Sequence, residues 1–260
     1  MGAETTGATG AGSRLSLWLL RAAPVIAAAA LIVLIAGPLG WRSGLLHYRT
    51  AFFWLMPAAF YAGLAACAAA VAGLAFGLQQ LNRRRIARAA AAVAIGMAAA
   101  YFPWHAQQMR GKYPPIHDIT TDPQDPPKLI AVLPLRAAEG AAPADYPGAA
   151  TAALQAKFYP GIEPLLTSVP PAQEFERALV TARRMGWTIV ASDAAAGHIE
   201  AYDRSFWFGF TDDVAIRVAA EEGGSRVDVR SVSRQGRGDF GVNARRVRAY
   251  LAALRAAGTS

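Results

Sequence analysis

The chain has 260 residues, 54% of them hydrophobic and only 17% charged, with a formal net charge of +8. That charged fraction is well below the roughly 25% of soluble domains, which argues against a uniformly soluble protein, and the apolar content excludes a chain without folded structure. Residues 1–110 hold nine Arg and one Glu, whereas residues 111–260 balance 17 Lys plus Arg against 17 Asp plus Glu. The excess charge thus belongs to one half, and nucleic-acid binding loses its basis because the other half is neutral.

Residues 1–13, made of Gly, Ala, Thr and Ser with little else, read as a disordered tail. A membrane region over 14–110 follows, with uncharged apolar stretches at 22–41, 51–78 and 89–109. About twenty apolar residues cross a hydrocarbon core roughly 30 Å thick, so each is expected to be a transmembrane helix. Trp41, Trp54, Tyr101 and Trp104 sit near the ends, where amphipathic rings favour the headgroup zone. The first stretch lacks a clean small-x-small cleavage site at Ile35-Ala36-Gly37-Pro38, so it reads as an anchor rather than a removed signal peptide. Arg83, Arg84, Arg85 and Arg88 follow the second span, against Arg42 and Arg49 after the first. The positive-inside rule then puts the amino terminus in the cytoplasm and residues 111–260 in a periplasm, across a bacterial inner membrane. Gly73 and Gly77 form a small-xxx-small pair, suited to packing among the three spans or to homodimerisation.

Beyond residue 110 comes a Pro-rich stretch to 127, expected to be an extended arm, and a loose loop over 136–150. Pro170 and Pro171 precede an amphipathic helix with Phe175, Leu179 and Ala182 on one face and Gly186 as its stop. Period-two alternation then runs through Ile189 and Ala191, Ile199 and Ala201, Val214 to Val218, and Val227 and Val229, with a hairpin at Glu221–Gly224. A last helix from about Asn243 to Ala256 places Val247, Tyr250, Leu251 and Leu254 on one face. The expected fold is an α-helical membrane region of three transmembrane helices followed by a two-layer α+β domain, with an antiparallel sheet of about four strands.

Several segments carry a family resemblance. Asp118-Ile-Thr-Thr-Asp122 with Pro126-Pro127, Phe210-Thr-Asp-Asp-Val214 through Arg217-Val218, and Arg230-Ser-Val-Ser-Arg234 through Gly236, Asp239, Gly241 and Asn243 resemble the bacterial family catalogued as domain of unknown function 1499. The likeness covers about residues 113–256 and implies a fold family and an envelope setting. It implies no activity and no catalytic residues.

The block from Ser231 to Asn243 leaves a strand, crosses three glycines and feeds the last helix. Unpaired N–H groups at a helix start favour anions, and Arg230, Arg234, Arg237, Arg245 and Arg246 can clamp a phosphate or carboxylate in two-point fashion. Ser233, Asp239 and Asn243 complete this candidate anion site. The competing reading is a structural loop in which Asp239 or Asn243 caps the helix and the arginines are solvated. Asp212 and Asp213 are adjacent on a strand and so face opposite ways, which argues for a turn cap paired with Arg217 or Arg226 over a paired-carboxylate site. His198 and Glu200 share a strand face with Tyr202, read as the solvent face, and neither they nor His117-Asp118 have metal-ligand spacing. The aromatic run Tyr202, Phe206, Trp207, Phe208, Phe210 is either core or an exposed rim for a bilayer or partner. Cys67, the sole cysteine, lies in the second span with no base near it in sequence.

Together these features point to a non-enzymatic envelope protein without cofactor or metal, in contact with membrane lipids. Its tethered domain is expected to bind an anionic envelope ligand or a partner protein. The alternatives are an envelope hydrolase or transferase using Asp239, Asn243 and nearby serines on an anionic substrate, and an assembly or stability factor with no small ligand.

Overall fold

A computed structural model describes residues 5–80 and 82–257. The chain divides into two compact units, Met1–Arg110 and Gly111–Ser260.

In the first unit three helical runs are long and apolar enough to cross a membrane: Gly12–Arg42, Tyr48–Phe76 and Arg83–Met109. The first belongs to helix α1, Thr5–Arg42. The tail expected over 1–13 is therefore helical from Thr5 onward, and residues 1–4 lie outside the described residues. The second run opens as a short α2 (Tyr48–Thr50), widens into a π-helical turn over Ala51–Leu55 and continues as α3 (Met56–Phe76). The third is α4 (Arg83–Met109), which Asn82 caps by accepting the Arg85 N–H at 3.0 Å.

The side chains are distributed inside out. Ala23, Ala27, Ala66, Ala70, Ala89 and Ala92 form the interior, while Trp18, Val25, Ile32, Trp54, Val71, Met97 and Tyr101 face outward. Bundles in lipid pack through small residues because the tails outside are as apolar as leucine. Gly63 and Gly96 meet across α3 and α4, where a Cβ on Gly96 would stand 2.7 Å from the Gly63 carbonyl oxygen. Gly73 packs against Leu19 and Leu20 of α1, and its carbonyl accepts the Ser16 hydroxyl at 2.7 Å. The Gly73 surface is thus used within the chain.

The second unit is an antiparallel sheet with helices. Its elements are β1 (Asp118–Thr120), α5 (Leu133–Ala138), α6 (Ala149–Phe158), β2 (Leu165–Thr167), α7 (Pro171–Arg184), β3 (Thr188–Asp193), β4 (His198–Arg204), β5 (Thr211–Glu221), β6 (Gly224–Ser233) and α8 (Val242–Ala256). Strand order is β1-β6-β5-β4-β3, and β2 also pairs with β6. β1 lies against residues 230–232 and β2 against 225–227, so the two sit in succession along the outer side of β6. The sheet has six strands rather than four, because three-residue strands are too short to show alternation. The loop expected over 136–150 ends α5 and begins α6.

Alternation gives the sheet two unlike faces. On one, Ile199, Val214, Ile216, Val218, Val227 and Val229 pack on Phe175, Leu179 and Ala182 of α7 and on Val247, Tyr250, Leu251 and Leu254 of α8. Tyr250 stacks on Trp187 with centroids 5.1 Å apart and donates its hydroxyl to the Ala178 carbonyl at 2.9 Å, which ties α8 to α7. The other face carries charge and is covered by the arm that follows β1. A small apolar cluster, Leu129 and Val132 on Ala215 and Val232, seals it.

Candidate functional site

The strand pairing delivers the charged residues to opposite sides in registered rows. Asp213 stands opposite Val232, Ala215 opposite Arg230, and Arg217 opposite Asp228, all on the arm-covered face. Asp212 and Ser233 pair on the helix-covered face.

Arg230 closes a fork on Asp118, with Nε to Oδ1 at 3.0 Å and Nη2 to Oδ2 at 2.7 Å. It also donates to the Ala144 carbonyl at 2.6 Å and lies over the Tyr146 ring. Arg234 forms the same fork on Asp213, and its Nη1 reaches Glu139 Oε1 at 2.9 Å. Burial by itself would lower the Arg234 pKa, but hydrogen bonds and charge from Asp213 and Glu139 more than reverse this and raise it. Arg136 donates from Nη1 to Asp213 Oδ2 at 2.7 Å, the oxygen that also accepts from Arg234 Nε, so one buried carboxylate joins two guanidinium groups. Arg246, on the helix side, binds Asp212 at 2.8 Å, Asp203 at 2.9 Å and the Asn243 side-chain carbonyl at 2.8 Å. Burial raises the Asp212 pKa despite Arg246 and Ser233 pulling it down.

The remaining members of the block have separate roles. Asp239 accepts the Gly241 N–H at 2.8 Å and the Asn243 N–H at 2.6 Å, and so caps α8. Asn243 donates to Ser233 Oγ and to the His117 carbonyl, and accepts from Ser231. Gly241 has φ +74°, and Tyr113 lies over it so closely that a Cβ would stand 3.0 Å from its ring. Arg245 is exposed and donates to the Phe240 carbonyl at 3.0 Å, and Arg237 is exposed at the loop tip. The eight candidate residues therefore do not converge on one ligand. Arg230, Arg234 and Arg246 hold carboxylates of the chain, Ser233, Asp239 and Asn243 hold the loop and the helix start, and Arg237 and Arg245 face outward.

Two expectations need correction. Asp212 and Asp213 do face opposite ways, but neither caps a turn or meets Arg217 or Arg226. Those arginines instead share Asp228 and Asp122, with Arg217 also reaching Asp125. His198 and Glu200 are not on a solvent face. Glu200 is 1% exposed and accepts N–H groups from Ile130, Ala131 and Val132 at 2.9–3.0 Å, with His198 Nε2 at 3.1 Å. Burial pushes its pKa up, yet His198 and those three amides bring it below the ordinary glutamate value. Sequence reading missed Glu139 and Arg136 as members of the arginine network, and Glu200 as the anchor of the 130–132 amides. The available signal was the equality of acids and bases in residues 111–260, which leaves a partner for each buried arginine.

Among the described residues no group of three or more His, Cys, Asp or Glu is arranged to hold a metal ion. Ser231 donates to Asn243, Ser233 accepts from Asn243 and is hydrogen-bonded to the Asp212 carboxylate that Arg246 also holds, and the Asp239 oxygens meet backbone amides.

In a comparison with known families, the model described as Protein of unknown function (DUF1499) matches residues 118–254. No curated protein matches the chain, and no solved structure does.

Proposed function

Because the chain belongs to the DUF1499 family, for which no function is set, we propose a role from the geometry: a non-catalytic envelope protein whose tethered domain binds an anionic ligand or a partner protein with an acidic face. The amino terminus lies in the cytoplasm and the domain in the periplasm, a reading supported by Arg83, Arg84, Arg85 and Arg88 between the second and third spans.

One observation carries the binding role. After the buried carboxylates have taken Arg230, Arg234 and Arg246, the exposed arginines of the last segment form a strip. Arg245, Arg248 and Arg255 lie on the outer face of α8 at spacings that a helix brings to one side. None of the three is in an ion pair among the described residues, so their charge is available to an anion.

The test uses the whole chain in its native membrane, with a photo-crosslinking residue at Arg248. A discrete adduct, lost when Arg245 and Arg255 are changed to Glu, supports the reading. No adduct, or one indifferent to those charges, rejects it. A phosphatase reporter after residue 260 should be active if the domain is periplasmic, and an inactive fusion reverses the orientation.

A further inference from the structure

The second and third apolar runs come closest at Gly63 and Gly96, where backbone meets backbone. Toward the start of α3 and the end of α4 the facing residues are larger, and the helices leave a cleft of about 210 Å³ between them. Met56, Phe60 and Tyr61 line it from the second run, and Pro103, Gln107 and Arg110 from the third. Met56 and Phe60 stand one turn apart, as do Pro103, Gln107 and Arg110 in sequence, so each set follows one side of its helix. Two prolines mark the same stretch. Pro57 has no N–H for the Phe53 carbonyl, and Pro103 has none for the Ala99 carbonyl. Just before Pro57 the helix widens into the π-helical turn over Ala51–Leu55, a distortion often found at functional sites.

The lining runs from apolar to charged. Met56 is buried and Phe60 half-buried, whereas Gln107 and Arg110 are exposed. The Arg110 guanidinium lies over the Phe53 ring at 5.6 Å, and Phe60 lies seven residues further along the run, about 10 Å deeper. Residues 5–109 contain no Asp or Glu, so no described carboxylate of this unit neutralises Arg110. The cleft is also smaller than the roughly 300–1,000 Å³ of sites that enclose a whole small molecule, so its occupant keeps most of itself outside. An anionic head with an apolar chain that continues into hydrocarbon meets these conditions.

We propose that the cleft binds an anionic phospholipid, with its phosphate on Arg110 and Gln107 and the first carbons of one acyl chain along Met56 and Phe60. The occupant is a lipid because the wall leading away from the guanidinium is apolar, the helices are long and apolar enough to cross a bilayer, and the uncompensated charge is positive. The site lies wholly within residues 52–110 and is independent of the α8 strip and of the side on which the second unit lies.

The test uses the full chain in nanodiscs of phosphatidylcholine that carry a small share of one photoreactive lipid, with a diazirine near the carboxyl end of one acyl chain. That lipid is phosphatidylglycerol in one arm and phosphatidylcholine in the other, and labelled peptides are mapped by mass spectrometry. At Met56 and Phe60 the phosphatidylglycerol probe should label about fivefold more than the phosphatidylcholine probe, the factor that one arginine contributes near anionic lipid. At Val71 and Met97, exposed on the outside of the same helices, the two probes should label alike. Arg110→Gln should bring the ratio at Met56 and Phe60 to one, and Arg110→Lys should keep most of it. Ala106→Trp, which fills the cleft, should remove labelling there by both probes and leave Val71 as it was. Equal labelling of the unaltered protein by the two probes at Met56 and Phe60 overturns the proposal and reduces the cleft to a place for ordinary boundary lipid. A ratio that persists in Arg110→Gln, or that is equally large at Val71, overturns it too.

Discussion

Arg234 and Asp213 meet edge to edge, with Nη2 2.6 Å from Oδ1 and Nε 3.0 Å from Oδ2, and both side chains are closed off from solvent. The pair is the centre of a network, since Arg136 also donates to Asp213 Oδ2 and Glu139 accepts from Arg234 Nη1. Asp213→Asn leaves two buried guanidinium groups short of their counter-charge and should cost about 3–5 kcal/mol. Denaturant unfolding of the full chain in detergent measures it, and a loss below about 1 kcal/mol, the size of a surface pair, would contradict the structural role given to this fork. Arg234→Lys should also destabilise, because a lysine cannot reproduce the two-point geometry.

Glu200 fastens the arm to the sheet and gives it an acid sensitivity. Its folded-state pKa lies below the ordinary value, so its contribution is present above the ordinary glutamate range and is lost as pH falls through the lowered pKa. Asp122 is lowered as well: burial opposes the shift, and the Asp125 and Gln124 amides with Arg226 and Arg217 overcome it. Amide exchange at residues 130–132, corrected for its intrinsic pH dependence, should accelerate on acidification before exchange in β5 does. Glu200→Gln should show fast exchange at all pH values, because one amide oxygen cannot serve three donors.

Glu174 has the opposite sign. It is fully buried on α7; burial raises its pKa, and Arg177 and Thr167 offset only part of the rise. Its contribution is fully present below the ordinary glutamate range and is lost as pH rises through the raised value. Glu174→Gln should therefore flatten the fall in stability on going from mildly acidic to neutral pH. Melting temperatures of the two proteins across that range decide it, and parallel curves would show that Glu174 does not titrate there.

In the membrane unit the close approach of α3 and α4 depends on Gly63 and Gly96. A Cβ on Gly63 would lie 2.5 Å from the Gly96 carbonyl oxygen, and neither backbone can give way without separating the helices. Gly96→Val should destabilise the helical unit by about 1–3 kcal/mol, as overpacking does. Thermal aggregation of the detergent-solubilised protein reads this, while amide exchange in β5 and β6 should stay unchanged.

Large elements were legible because each has a strong period. Phe175, Leu179 and Ala182 on α7 and Val247, Tyr250, Leu251 and Leu254 on α8 are buried on the expected faces, and the hairpin falls at Glu221–Gly224. β1 and β2 were not legible, since three residues cannot show a period and both form only where β6 offers an edge. The aromatic run was legible as a choice between core and rim, and the structure divides it: Phe208 is buried and Phe206 is exposed. The arginine block was legible as a cluster of charge but not as a set of internal pairs. Asp118, Glu139 and Asp213 reach it from 112, 95 and 21 residues away in sequence.

By itself the sequence determined that a basic apolar half precedes a neutral half, and that the first half makes three helices able to cross a membrane. Length and hydropathy are local properties, read without knowing what packs on what. The tertiary structure alone decided where the charge of the second half goes. A buried guanidinium must find a counter-charge, and which carboxylate meets it depends on strand register and on the path of the arm, neither of which is local. The arginines that looked like one site are thereby divided between an interior that neutralises them and a surface where Arg237, Arg245, Arg248 and Arg255 remain exposed.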